Sequence, residues 1–347
     1  MTSNPQGGSA GAEASTSTSV VIAAYNSEHC LGATLDSLSA QTRRPGEVIV
    51  VDDGSEDGTA ALAHAHPAVD RVIPQENAGY CAARNTGIEA ARGDLLFILD
   101  SDDLWHPVYV ERMVAMMDAH PEAGTGFARY TTWEHPEEDP DPFEPTIEST
   151  HRPLDFGGFA TTMMQGLPYL PSVHVVRREV LGRLGRRPYR EDQVQGEAAY
   201  MFALFAAIAP CVEHRESIGR YRMHANAVTG DEMDAARRVE PCIDDLREAA
   251  GGGLGLGLRF DPAAIAAIDR HSADWYRRCG RRLGGGGDRR AGRRQLRKAA
   301  LLGDARSAAL LLATFVPGLG RRAWVDSWRP DSVRRSEGVE AWRVQEP

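Results

Sequence analysis

The chain has 347 residues, and its 39 basic and 49 acidic residues give it a formal net charge of −10. Apolar residues make up 42% and charged residues 25% of the chain, which is typical of a globular protein with a substantial core. Every basic residue except Lys298 is an arginine. This excludes a P-loop, which needs a lysine inside a glycine-rich turn, and disfavours a Schiff-base enzyme. The five scattered cysteines lack C-x-x-C spacing and imply neither a zinc site nor a disulfide framework.

The beginning of the chain is rich in serine, threonine, glycine and alanine, and we expect residues 1–18 to be a disordered leader. It contains neither the basic residues nor the apolar run of a secretory signal. Elsewhere no apolar run reaches the roughly 18 residues that indicate a membrane span. We therefore predict a cytoplasmic protein.

Residues from Ser19 to about Tyr130 predict alternating strands and helices. The predicted strands are 20–24, 47–51, 69–74 and 95–99, and the predicted helices are 30–41, 58–66, 82–92 and 107–119. Because these strands are unbroken apolar runs joined by helices, they predict an α/β fold with a mostly parallel sheet buried on both faces.

The rest of the chain changes character after an acidic, proline-rich segment at 134–145, which we expect to be a loop. The predicted elements beyond it are a strand at 173–176 and helices at 178–184, 197–209, 262–279, 289–302 and 305–315. We divide the chain into the leader, an α/β domain over 19–230 with halves 19–130 and 131–230, and a helical, Arg-rich C-terminal extension over 231–347.

Polar side chains follow the ends of several predicted strands, which is where ligands bind in sheets of this kind. They are Asn26, Asp52, Asp53, Asp100 and Asp102. The carboxylates of 100–103 repel one another, so we expect them to bind Mg²⁺ or Mn²⁺ shared with a substrate phosphate. Two other interpretations are an acidic first turn of the next helix and a phosphatase of the haloacid-dehalogenase type. The phosphatase would need a downstream lysine, for which Lys298 is the only candidate.

Four motifs together resemble the family 2 glycosyltransferases across about 90 residues. They are VVIAAYN at 20–26, VVDDGSEDGT at 50–59, NAG at 77–79 with ARNTG at 83–87, and LDSDD at 99–103. The resemblance implies a GT-A fold, a Rossmann-like sheet that binds a nucleotide sugar. It also implies a nucleotide-sugar site made by Ala24, Tyr25, Asn26, Asp53, Arg84, Asn85, Asp100, Ser101 and Arg222.

The resemblance assigns a role to several of these positions. Tyr25 would lie along the nucleobase and Asp53 would bind the base edge, commonly uracil. Asp100 would contact the ribose or the sugar, while Asp102 would bind the metal and Asp103 would support it. For Arg84 the alternative is a charge on a solvated helix face.

The general base is implied by the segment Arg190-Glu191-Asp192-Gln193, which resembles the Glu-Asp motif of the family. Asp192 would take the proton of the acceptor hydroxyl during inverting transfer. Glu191 and Glu197 are the alternatives. If Glu197 aligns with the motif instead, the base position is Ala198, which would put catalysis in doubt.

Two features of the later sequence complete the prediction. Tyr221-Arg222-Met223-His224 resembles the element that closes these domains, and it adds His224 as a metal ligand and Arg222 as a diphosphate contact. Residues 270–300 hold ten arginines and Lys298 against two aspartates. They form either a solvated helix face or a surface attracted to an anionic membrane or lipid phosphate.

The resemblance therefore implies an inverting, Mn²⁺- or Mg²⁺-dependent hexosyltransferase that moves one sugar from a UDP-sugar donor to a hydroxyl. The acceptor would be a glycan, a lipid-linked molecule or a small molecule such as a natural product. If the Arg-rich segment is a membrane-binding surface, the protein would also contact the inner face of the membrane peripherally. The alternative is a non-catalytic subunit that binds nucleotide sugar or carbohydrate. No nucleic-acid partner is expected, since no known binding module is present.

Overall fold

The computed structural model describes residues 16–133, 150–155, 170–191, 197–223 and 262–315, together with residues 159, 244, 247 and 248. The chain divides into two compact units. The first comprises residues 1–231 and 238–267, and the second comprises residues 232–237 and 268–347.

The first unit is built on one sheet, whose strands within the described residues are numbered in chain order. They are β1 Thr18–Ala24, β2 Glu47–Asp52, β3 Arg71–Pro74, β4 Leu95–Asp100, β5 Leu104–Trp105, β6 Thr125–Trp133, β7 His151–Leu154, β8 His174–Arg177 and β9 Cys211–Arg222. The strand order is β3-β2-β1-β4-β8-β6-β9-β5, with β7 also paired to β9.

Helices connect these strands and continue into the second unit. They are α1 Glu28–Ser39, α2 Thr59–Ala65, α3 Tyr80–Ala90, α4 Tyr109–Ala119, α5 Arg178–Leu184, α6 Glu197–Ile208, α7 Pro262–Gly285, α8 Arg289–Leu301 and α9 Ala305–Ala313. A short 3-10 helix covers Pro171–Val173. All the helices predicted from the sequence are present, with shifted ends. The largest shift is in α7, which continues past the predicted end at residue 279.

The first half of the sheet has the parallel pairing that was predicted. β1 lies between β2 and β4, and Ile22 pairs in parallel with both Val50 and Leu99. Alternate residues of these strands pack in one core with Leu31 and Leu35 of α1. Burial of both faces explains why these strands are continuous apolar runs.

The second half of the sheet is mixed. β8 is antiparallel to β4 and β6, β5 and β7 are antiparallel to β9, and β6 is parallel to β9. Only β8 was predicted here. β9 was missed because it buries charged residues, so it lacks an apolar pattern. Its Glu213 is fully buried and accepts hydrogen bonds from Arg129 and Arg152, which come from β6 and β7.

The predicted leader and loop fall largely outside the described residues. Residues 1–15 and the acidic segment 134–145 are among those not described, as is the glycine-rich segment 251–257. β1 begins at Thr18, inside the predicted leader. Ser17 already donates a hydrogen bond from its Oγ to Asp94 (2.6 Å).

The second unit contains α7 from Ile268 onward, α8 and α9 among its described residues. The backbones of α7 and α8 approach closely at Gly280 and Gly292. A Cβ atom added to Gly292 would lie only 2.6 Å from the carbonyl oxygen of Gly280. Over the part of the chain that the structure describes, none of the helices combines the length and the apolar character needed to cross a bilayer.

Gly87 of α3 permits the close approach of that helix to β1. A Cβ atom at this position would clash with Cγ1 of Val21, so we expect Gly87→Ala to lower the free energy of unfolding by about 1–3 kcal/mol. Gly182 in α5 is the matched control, since nothing lies within 4 Å of the position that an added methyl group would occupy. There alanine should stabilise the helix by about 0.5–1 kcal/mol. Urea denaturation measures the free energy of unfolding of both variants. An equal change in Gly87→Ala and Gly182→Ala would contradict the close packing of α3 on β1.

Candidate active site

Three neighbouring strands end side by side and bring their polar residues together. In the register of the sheet Ala24 pairs with Asp52, and Ala23 pairs with Asp100. The residues that follow these ends, Tyr25, Asp53 and Ser101, therefore lie at one edge of the sheet. Ser27 and Ser101 are joined directly, with their Oγ atoms 2.9 Å apart.

The turn after β1 presents an aromatic ring to solvent. Tyr25 is 48% exposed, which is unusual for so large an apolar ring. The following residue, Asn26, has a φ of 48° and is tied to the turn after β2. Its backbone N–H donates to Ser55 Oγ (3.0 Å), and its Oδ1 accepts from the Glu56 N–H (2.9 Å). The ring is thus held on a turn that two strands define.

Asp53 shapes the neighbouring loop. Its buried carboxylate accepts hydrogen bonds from Gln75 Nε2 (2.7 Å) and from the backbone N–H groups of Ala78 (3.0 Å) and Gly79 (2.9 Å). Gly54 must be a glycine, because its φ is 76° and a Cβ atom would lie 2.9 Å from the nitrogen of Asn77. The three hydrogen bonds to Asp53 leave about one of the roughly four acceptor positions of the carboxylate unused. The predicted contact of Asp53 with a base edge stays a prediction.

Arg84 is buried beside the acidic loop, so the alternative of a solvated helix charge is wrong. Its Nη2 lies 2.6 Å from Asp100 Oδ1, and the two side chains are 6% and 26% exposed. Its guanidinium also lies over the rings of Tyr80 (4.9 Å) and Tyr189 (5.5 Å). Arg84 therefore offsets part of the negative charge at the end of β4.

Asn85 is fully buried and anchors another segment of the chain. Its Nδ2 donates to the carbonyl of Tyr189 (2.7 Å), and its Oδ1 accepts from the N–H of the same residue (2.9 Å). The same Nδ2 lies 3.1 Å from Glu191 Oε1. A direct contact of Asn85 with a nucleotide-sugar donor stays a prediction. Its hydrogen bonds to Tyr189 and Glu191 show that it holds residues 189–191 in place.

Asp103 joins three segments of the chain. Its fully buried carboxyl accepts from Ser172 Oγ (2.5 Å) and from the backbone N–H of Arg222 (3.1 Å). Ser172 Oγ also accepts from the N–H of Asp100 (3.0 Å). Burial, together with the charges of Asp102 and Asp100, raises the pKa of Asp103 well above its usual value. Sequence reasoning missed Ser172, and no spacing or motif signals it.

Arg222 reaches the same loop from β9. Its Nε donates to the backbone carbonyl of Asp102 (2.9 Å), and its guanidinium lies 4.1 Å from the ring centre of Trp133. Arg222 therefore supports the backbone at Asp102. Its predicted contact with a diphosphate stays a prediction.

Of the candidate bases, only Glu191 has a described side chain, since Asp192 and the side chain of Glu197 lie outside the described residues. Glu191 accepts a hydrogen bond from Arg187 Nε (2.7 Å) and one from Asn85. These two bonds, that of Arg187 first, lower the pKa of Glu191 below its usual value. A weakly basic, ion-paired carboxylate is a poor proton acceptor.

Comparison with known proteins agrees with this geometry. Residues 19–185 match the family model described as "Glycosyl transferase family 2". The matched region, 167 of the 347 residues, belongs to this family. The chain is 43% identical over 99 residues to the putative glycosyltransferase EpsH of Bacillus subtilis, a match that covers 28% of this chain and 29% of that protein. The chain spans less than a third of the length of the first curated relatives that it matches.

Solved structures share the fold of this chain. Residues 1–349 of Staphylococcus aureus TarS, in complex with UDP-GlcNAc, superpose with a TM-score of 0.56 at 15% identity, covering 86% of this chain and 91% of that one. The mannosyltransferase PcManGT of Pyrobaculum calidifontis, in complex with GDP-Man and Mn²⁺, gives 0.55 at 16% identity over 95% and 88%. The fold is therefore GT-A, a mixed sheet flanked by helices, with a helical C-terminal region.

The acidic loop of the family 2 domain has the chemistry that a hard divalent cation prefers. Within the described residues, no three His, Cys, Asp or Glu side chains are grouped to hold a metal. Mg²⁺ needs only one or two carboxylates, because substrate phosphates and water complete its shell. Asp102 is half-buried and Asp100 partly exposed, so carboxylate oxygens suited to such an ion are present. The predicted ligand His224 lies outside the described residues.

Ser172 holds the acidic loop of the family 2 domain through two hydrogen bonds. We expect Ser172→Ala to lower the free energy of unfolding by about 1–3 kcal/mol, because the Asp103 carboxyl and the Asp100 N–H lose a buried partner. The control is Ser39→Ala at the exposed end of α1, which should change the free energy of unfolding by less than about 0.5 kcal/mol. Chemical denaturation of both variants tests this, and a neutral Ser172→Ala would contradict it.

Proposed function

We propose that this protein is an inverting, metal-dependent hexosyltransferase that moves one sugar from a nucleotide-sugar donor to an acceptor hydroxyl. The observation that carries the proposal is the meeting of Tyr25, Asp53 and the 100–103 loop at the ends of β1, β2 and β4 in a family 2 domain. An exposed ring and the partly exposed carboxylates of Asp100 and Asp102 at one sheet edge suit a nucleoside diphosphate.

The donor is a UDP-sugar by preference. Tyr25 stacks on the base, and Asp53 accepts from the imide N–H of uracil. Asp100 contacts the ribose or the sugar, and Arg84 holds that carboxylate in place. The UDP-GlcNAc complex of the similar TarS chain supports this choice. The remaining donor contacts come from Ala24, Asn26, Asn85, Ser101 and Arg222.

The metal is Mn²⁺ or Mg²⁺, held by Asp102 and His224. When bound, such an ion offsets the charge that grows on the departing diphosphate. The Mn²⁺ complex of PcManGT supports this assignment. Arg222 fixes the backbone at Asp102, so the carboxylate is pre-positioned for the ion.

The reaction is a displacement at the anomeric carbon. Asp192 accepts the proton of the acceptor hydroxyl as the oxygen forms a bond to that carbon. The bond from the carbon to the diphosphate oxygen breaks, and the nucleoside diphosphate leaves with the electron pair. Attack from the opposite side inverts the configuration. The acceptor is a glycan, a lipid-linked molecule or a small molecule, and the Arg-rich C-terminal region contacts the inner face of the membrane.

Donor hydrolysis tests this function most broadly. UDP-, GDP- and dTDP-sugars are incubated with the full chain, with and without Mn²⁺, and release of the nucleoside diphosphate is measured. We expect release from a UDP-sugar only when Mn²⁺ is present. Tight donor binding without hydrolysis or transfer would favour the non-catalytic subunit, and release of phosphate from simple esters would favour the phosphatase.

Tyr25 offers a sharper test of the donor site. We expect Tyr25→Ala to weaken UDP binding by about 5- to 150-fold, because one base–aromatic stack contributes about 1–3 kcal/mol. Tyr25→Phe is the control, since it keeps the aromatic face and should bind UDP within about twofold of the original. Isothermal titration calorimetry measures both, and an unchanged affinity of Tyr25→Ala would contradict the stacking role.

A further inference from the structure

One face of helix α8 carries a row of exposed side chains. Arg290, Arg294, Arg297 and Leu301 follow one another at intervals of four, three and four residues, so they lie on the same side of the helix. All four are exposed to solvent, and Leu301 is 77% exposed. We call these four residues the α8 stripe.

The charged residues within α8 are all positive. Its sequence RRAGRRQLRKAAL contains five arginines and Lys298 but no acidic residue. Arg289 and Arg290 also occupy the first turn, where the positive end of the helix dipole disfavours cations. The N-cap residue Asp288 accepts a hydrogen bond from the Ala291 N–H (3.0 Å), so one carboxylate offsets part of this charge and the helix still carries a large positive excess.

Other arginines of the same unit are neutralised by partners inside it. Arg277 pairs with Asp304 (3.1 Å), and Arg278 pairs with Asp274 (3.0 Å). Within the described part of the chain, neither Arg290 nor Arg297 forms an ion pair. The charges of Arg290 and Arg297 therefore face solvent and can meet an external anion.

An exposed aromatic ring borders the stripe. Phe315 is 65% exposed, and its ring centre lies 4.5 Å from the guanidinium of Arg293, which lies three residues after Arg290 and four before Arg297 on the helix. Arg293 is fixed in turn by Thr314, whose Oγ1 lies 3.1 Å from its Nε. Two large apolar side chains, Leu301 and Phe315, thus stand in water beside a row of cations.

We propose that the α8 stripe and Phe315 form a docking surface for an anionic lipid bilayer. The arginines meet lipid phosphates, and Leu301 and Phe315 enter the boundary between headgroups and acyl chains. Cations alone would suit many polyanions, but large exposed apolar side chains among them favour a bilayer. The proposal deepens the membrane contact of the proposed function, yet it does not require the transfer reaction.

Vesicle co-sedimentation of the full chain tests this surface. We expect binding to vesicles of phosphatidylcholine with phosphatidylglycerol, no measurable binding to phosphatidylcholine alone, and weaker binding at high salt. Arg290→Gln with Arg297→Gln should lower the partition coefficient by about 30-fold. The charge-matched control is Arg44→Gln with Arg186→Gln, because these side chains of the first unit are 69% and 89% exposed. The control should stay within about twofold of the original protein.

Phe315→Ser tests the apolar part separately. It should lower the partition coefficient by about tenfold at both low and high salt, since it removes apolar contact rather than charge. Equal binding to neutral vesicles, an equal loss in the control variant, or tighter binding to RNA than to anionic vesicles would overturn the proposal. UDP affinity measured on the same samples shows separately whether the proposed donor site fails.

Discussion

Replacing Asp102 by asparagine is expected to remove the metal-dependent turnover of the donor. Asparagine has the same shape but no charge, so it offers the cation a much weaker ligand, and we expect kcat/KM to fall by at least about 100-fold. The fold should persist, because Arg222 bonds the backbone carbonyl of Asp102, which the variant retains. Mn²⁺ titration of donor hydrolysis measures the effect.

The control for this variant is Asp36→Asn on the exposed face of α1, where the side chain is 80% exposed. It removes the same charge far along the chain from the acidic loop and should leave kcat/KM within about twofold, as for most surface changes. Full Mn²⁺-dependent activity in Asp102→Asn would contradict the assignment of the metal ligand.

Replacing Asp192 by asparagine is expected to separate donor binding from transfer. The amide cannot accept the proton of the acceptor hydroxyl, so kcat should fall by about 100- to 10,000-fold. The affinity for UDP should change by less than about twofold, because the role proposed for Asp192 is on the acceptor hydroxyl and not on the nucleotide. Single-turnover transfer assays and calorimetry measure the two quantities independently.

Two neighbouring carboxylates serve as comparisons. Glu191→Gln should reduce kcat much less than Asp192→Asn, because Glu191 is held by Arg187 and Asn85 and its pKa is lowered. Glu197→Gln tests the alternative alignment. A large loss of kcat in Glu197→Gln with full activity in Asp192→Asn would show that the base assignment is wrong.

The parallel half of the sheet could be predicted because the pattern that indicates it lies within each strand's own sequence. Strands buried on both faces must be continuous apolar runs, and 20–24, 47–51 and 95–99 have that pattern. The edge at which Tyr25, Asp53 and Asp100 meet followed directly, since the carboxyl ends of parallel strands share one edge.

The mixed half could not be predicted, because its strands are stabilised by partners that are distant in sequence. β9 buries Glu213 against Arg129 and Arg152, and Glu216 against Arg112 of α4. Each of these residues is typical of a surface when it is considered alone. Ser172 was missed for a similar reason, since only the folded sheet places its hydroxyl between Asp100 and Asp103.

Calorimetric titration of the full chain with UDP, with and without Mn²⁺, tests the central claim most directly, because it asks whether the edge formed by β1, β2 and β4 is a nucleoside diphosphate site. We predict saturable binding of one UDP per chain that strengthens by at least about tenfold when Mn²⁺ is added, since Asp102 would hold the ion and the ion would offset the charge of the diphosphate. Absence of UDP binding under both conditions would contradict the claim, and equal affinity with and without Mn²⁺ would contradict its metal-dependent form.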